Sequence, residues 1–246
     1  MSGRIEFYKI DKSKIEDNLL PLISNSSISE SFKDFVFSYN LDTEYFKVSY
    51  EDIIEKIKFD FFRINHTEFE VIFEWIFNCH GEKLNKDVNF FDNLGLLEIG
   101  DLHSREEKTI FFCFGEYGIN EFDDSLIKIN THWNNFGTPS NSKDFKLVID
   151  FLIVILLKSV LRDEELEVDY KNELKGILTD LSQNENVYLS SSSFLENVLK
   201  KNDFTNLYSN DVIYLFECSE SYLGKMRSLK KNIEDYNGLI YRLDLF

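Results

Sequence analysis

Cysteine is scarce: Cys79, Cys113 and Cys218 are the 3 in the chain, far apart and without a C-x-x-C pair. An odd, unclustered set in a protein of this size excludes a disulfide framework and reads as reduced thiols in a cytosolic compartment. The 4 histidines leave few participants for zinc or nucleophile chemistry, and neither H-E-x-x-H nor G-x-S-x-G occurs. The 10 glycines form neither G-x-G-x-x-G nor G-x-x-x-x-G-K-[ST], so no common nucleotide cradle is present. The start, "MSGRIEFYKIDKSKIED", lacks an apolar h-region, so no signal peptide is expected. Without one, the glycosylation-type triplets at Asn25 and Asn65 carry no weight.

A long hydrophobic run is also missing. The longest, Phe151 to Leu157, is seven residues between Asp150 and Lys158, whereas a membrane-spanning helix needs about 20. On a helix, Lys143, Lys146, Asp150 and Lys158 share one stripe, and Phe145, Leu147, Val148, Leu152, Ile155, Leu156 and Val160 cover the rest. A helix apolar over most of its girth belongs inside a packed core. Ile153, Val154 and Ile155 keep a buried strand as the alternative.

Positive charge is the last shortage: 27 Lys and Arg stand against 44 Asp and Glu, a formal net charge of -17. Such a field repels nucleic acid and anionic lipid and attracts basic partners. The expected partner is therefore a basic protein, with no direct nucleic acid and no membrane. What the chain does have is 43% hydrophobic and 15% aromatic residues, a globular composition that needs no metal or disulfide staple.

Elements follow from periodicity. "RIEFYKI" alternates as a strand, and Ile15, Leu19, Leu22 and Ile23 repeat at helical spacing, with Pro21 limiting that helix. Ser49 and Asp52 form a capping box ahead of Ile53, Ile54 and Ile57. "EFEVIFEWIF" reads as a strand with Phe69, Val71, Phe73, Trp75 and Phe77 on one face. Further strands are expected at "LGLLEIGDL", "KTIFFCF" and "SLIKIN". After the boundary "NNFGTPSNS", Asn134 to Ser142, comes the core helix. A second helix then carries Leu166, Tyr170, Leu174, Ile177, Leu178 and Leu181 on one stripe. Ser193 and Glu196 read as a capping box that starts a helix at the end of "SSSS". The chain closes on a strand "VIYLFEC", a helix "YLGKMRSLKKNIEDY" and a strand "GLIYRLDLF". The expected class is α+β: a mainly antiparallel central sheet in residues 1–136 and a helix-rich part, residues 143–246, ending in a β-α-β unit, either as two regions or as one continuous domain.

Two groups of residues are candidate sites. In "EIGDLHSREEKTIFF", Asp101 and His103 on a strand would share a face where a carboxylate and an imidazole could hold a divalent metal. Glu106 and Lys108 have the same two-residue spacing at the start of the next strand. Acids on one strand followed by E-x-K resemble the PD-(D/E)xK nucleases, which implies metal-bound acids and a lysine positioning the attacking water. The chain departs from that pattern in having no Pro-Asp. In "NTHWNNFG", His132, Trp133 and Phe136 gather in a polar loop where an aromatic residue could anchor a partner. Lys225, Arg227, Lys230 and Lys231 form a basic cluster on the last helix, read as a solvated face paired with Glu234 and Asp235. The first expectation is a non-catalytic acidic cytosolic binding module of the general character of immunity proteins and nuclease inhibitors, with no cofactor. The alternative is a metal-dependent hydrolase or nuclease.

Overall fold

The computed structural model of the chain describes residues 4–24, 26–42, 47–60, 63–84, 90–103, 140–201 and 218–245. The protein is α+β. Among the described residues, four strands form one antiparallel sheet in the order β2-β1-β4-β3: β1 (Arg4–Ile10), β2 (Leu96–His103), β3 (Ser140–Asn141) and β4 (Leu239–Leu245). The sheet thus takes strands from both sides of the Asn134–Ser142 segment. Expected strands at "KTIFFCF", "SLIKIN" and "VIYLFEC" lie outside the described residues.

Alternation along β1 divides the core in two, because successive side chains point to opposite faces. Ile5 and Phe7 join a cluster with Ile99, Leu102 and Ile240 on one face. Tyr8 and Ile10 join Leu96, Leu239 and Tyr241 on the other. β1 is buried on both sides, which its alternating sequence did not show. A bulge in β2 serves this division: Phe7 pairs with Gly100 and Tyr8 with Glu98, so Ile99 is the extra residue. Gly100 has φ +155°, and a Cβ there would come within 2.7 Å of Leu229 Cδ2. Only glycine lets the last helix approach the sheet so closely.

The first face carries α7 (Ser142–Val160), α8 (Val168–Leu181), α9 (Glu185–Lys201) and α10 (Ser219–Ile233). α7 is the expected core helix, with Phe151 to Leu157 all buried, and the strand alternative falls. Its polar stripe meets polar groups. Lys146 Nζ donates to the carbonyls of Glu234 and Tyr236 at 2.9 Å, and Asp150 pairs with Lys230. α7 starts where Asn141 accepts a hydrogen bond from the Lys143 N–H at 2.8 Å. α8 buries Leu174 and half-buries Tyr170, Ile177, Leu178 and Leu181, which is the expected stripe.

The serine run corrects the sequence reading. Ser193 is not a cap, since α9 begins at Glu185 and runs through all four serines. Ser190 and Ser191 are fully buried, and the Ser191 and Ser192 hydroxyls donate to the Tyr188 carbonyl. Small hydroxyls satisfied by the preceding turn can line a close helix contact without leaving a polar atom unpaired.

The second face carries α1 (Lys12–Lys14), a π-helical turn (Ile15–Leu19), α2 (Leu20–Ser24), α3 (Ser26–Asp42), α4 (Tyr50–Phe59) and α5 (His66–Leu84), with α6 (Phe90–Asn93) leading into β2. Pro21 does not end its helix. The Leu20 N–H bonds the Ile15 carbonyl five residues back, and this wider turn just before Pro21 gives its ring room that a regular turn would deny. α4 is capped as expected, with Ser49 Oγ accepting from the Asp52 N–H at 3.2 Å.

"EFEVIFEWIF" is helix, not strand. Phe69, Val71, Ile72, Phe73, Trp75 and Ile76 are all buried, a set that covers most of a helix's girth rather than alternate positions. Trp75 meets Phe32 edge-on with centroids 4.9 Å apart, and Phe69 lies 4.0 Å from Tyr241 of β4. A capping box sets the start. The Glu68 N–H donates to Asn65 Oδ1 at 2.9 Å and the Asn65 N–H to Glu68 Oε2 at 3.0 Å. Capping and burial on both flanks outweigh the strand preference of Val, Ile and Phe, which spans only about 1 kcal/mol per residue.

Candidate functional site

β2 holds Asp101 and His103 two residues apart. Asp101 is half-buried, and its partner across the strands is Glu6; His103 stands opposite Arg4. Glu6 is 7% exposed and accepts a hydrogen bond from the Tyr8 hydroxyl. The sequence reading missed Glu6. Its signal was an acid in a strand whose neighbours on both faces are large and apolar, a place where a carboxylate needs a donor. Glu106, Lys108, His132, Trp133 and Phe136 lie outside the described residues. Among the described residues no group of three or more His, Cys, Asp or Glu is placed to hold a metal ion.

Among the described residues, a dense run of acids fills the turn after α7 and the start of α8. After Val160 the chain turns, with the Asp163 N–H on the Val160 carbonyl at 3.0 Å and the Glu165 N–H on Asp163 Oδ1 at 2.9 Å. Asp163, Glu164, Glu165, Glu167 and Asp169 are all exposed there, and only Leu166 turns in toward the core. Val168, in the middle of these acids, is 72% exposed. Five carboxylates within seven residues concentrate the negative field over a small area of surface.

The basic cluster on α10 is spread over partners. Lys230 reaches Asp150 at 2.5 Å and Arg227 reaches Glu173 at 3.5 Å, in place of the expected Glu234 and Asp235. Its apolar stripe of Leu223, Met226, Leu229 and Ile233 is buried on the first core. The helix therefore serves packing and tethering to α7 and α8.

No described helix is long and apolar enough to cross a membrane. Comparison with protein-family models, with curated proteins and with solved structures finds no match to this chain.

Proposed function

We propose that this chain is a non-catalytic binding module that docks on a basic protein in the cytoplasm, as an immunity-type inhibitor does. The exposed acidic segment from Asp163 to Asp169, with Val168 projecting among its carboxylates, carries this reading. A net charge of -17 steers a basic partner from a distance, and an exposed acidic segment at the junction of two packed helices gives it a place to land. An apolar side chain inside a charged rim is the arrangement in which burial adds affinity to steering.

The test is a tagged pull-down from the native host's lysate at low salt and at about 0.5 M salt, where the Debye length falls to a few ångströms. A variant combining Asp163→Asn, Glu164→Gln, Glu165→Gln and Glu167→Gln runs in parallel. The expected result is one stoichiometric basic protein, recovered at least tenfold less at high salt and by the variant. Equal recovery by the variant and the parent chain, or no partner at either salt, overturns the reading.

A second reading, metal-dependent hydrolysis, keeps Asp101 and His103 as ligands, with Glu106 and Lys108 completing the site. The observation behind it is the strand register, which sets Glu6 opposite Asp101. Titration with Mn²⁺ or Zn²⁺ separates the two readings: stoichiometric binding abolished by Asp101→Ala with His103→Ala supports catalysis, and no binding removes it.

A further inference from the structure

We propose that the cleft between the C-terminal end of α7 and the middle of α9 binds a small monocarboxylate that carries an apolar group. The cleft has a volume of about 240 Å³ and is lined by Lys158, Leu161, Arg162, Ser192, Leu195 and Glu196. None of these residues belongs to the acidic segment or to β2, so the inference is independent of both readings above.

The charges within the cleft decide the class of ligand. Lys158, on the last turn of α7, and Arg162, in the turn just past its end, both line the cleft, against one carboxylate, Glu196. Two cations and one anion leave an excess of one positive charge, in a chain whose overall charge is -17. Lys158 is half-buried, and its other contacts are neutral. Its ammonium donates to Ser192 Oγ and sits 4.2 Å from the centre of the Tyr188 ring. The Ser192 hydroxyl spends its own proton on the Tyr188 carbonyl at 2.6 Å. Toward Lys158 it is thus purely an acceptor, and an ammonium has three N–H groups to place.

Burial holds the Lys158 ammonium below the ordinary lysine range; Glu196 opposes this, and the like charge of Arg162 adds a smaller push downward. An anion in the cleft relieves both costs, which is a physical reason for it to bind there. Leu161 and Leu195 supply apolar walls, and the Tyr188 ring lies beside the ammonium. A carboxylate bearing a ring or short chain matches this lining better than bare phosphate, whose higher charge meets Glu196.

Benzoate is the probe, with chloride at equal ionic strength and inorganic phosphate as comparison arms. Thermal unfolding of the full chain is expected to shift upward with benzoate concentration and to saturate, with no matching shift from chloride and a weaker one from phosphate. Lys158→Met and Arg162→Gln are each expected to weaken benzoate binding at least tenfold, and Glu196→Gln to strengthen it. Lys158→Met removes a half-buried charge and keeps the stem, so the fold survives; far-UV circular dichroism checks this. A benzoate response equal to that of chloride, or one that survives unchanged in both cation variants, overturns the proposal. A larger response to phosphate than to benzoate overturns the assignment of the ligand class.

Discussion

At the scale of single residues, polar groups that join distant parts of the chain do more than their number suggests. The Tyr236 hydroxyl lies between β1 and β4, accepting from the Ile10 N–H at 3.1 Å and donating toward the Ile10 and Leu239 carbonyls at 2.7 and 2.8 Å. Its backbone carbonyl accepts from Ser142 Oγ and Lys146 Nζ at the start of α7. Burial holds this phenol protonated above the usual tyrosine range, against the backbone hydrogen bonds it makes at Ile10 and Leu239. The sign of the pH effect follows: below pH 10 the phenol is neutral folded or unfolded, and above it the unfolded chain loses the proton first, so stability falls. Tyr236→Phe is expected to cost about 1–2 kcal/mol at pH 7 by urea denaturation. Its deficit should narrow above pH 10, as the parent chain loses stability that the variant no longer has. A deficit constant from pH 7 to 11 would count against the hydroxyl as its source. Glu68 is a second such residue, closing the α5 capping box while pairing with Lys56 at 2.5 Å.

At the scale of elements, the question is what makes each segment helix or strand. In α9 the serines are interior, not a start, and this has a measurable consequence. Ser193 is exposed and mid-helix, so Ser193→Ala is expected to leave stability within about 0.5 kcal/mol, or to raise it, because alanine is the better helix former. A capping serine would lose about 1 kcal/mol in the same experiment. Chemical denaturation of the two proteins, read by circular dichroism, separates these outcomes. The π-helical turn before Pro21 and the bulge at Ile99 are the same kind of device. Each adds local room or a change of facing where regular geometry would force a clash or turn Leu102 out of its core.

At the scale of the whole molecule, β4 joins the first strand to the last helices. It lies between β1 and β3, sends Ile240 into the first core, and sends Leu239 and Tyr241 into the second. Removing residues 239–246 would expose one side of β1 along its full length and open both cores at once. The truncated chain is expected to lose its cooperative thermal transition, followed by circular dichroism, in place of a modest lowering of Tm. A sharp transition retained near the parent temperature would show that the helices on either face stand without the shared sheet. Charge acts at this scale too. The -17 sets how the chain meets others, but it says nothing of where the acids gather.

The sequence by itself determined the α+β class, strands β1 and β2, the core helix α7, the stripe of α8 and the cap of α4. These signals are local: a period of two or of 3.6 residues, or a side chain reaching an N–H three residues on. The strand spacing of Asp101 and His103 was legible for the same reason. Tertiary structure alone decided what depends on neighbours far along the chain. "EFEVIFEWIF" offers large apolar groups at both periods, and only packing between Phe32 and Tyr241 chose the helix. Glu6 became Asp101's partner through strand register, and Lys158 and Ser192 came to share a cleft through helix packing. Burial is fixed by the whole fold, so no local window of sequence contains it.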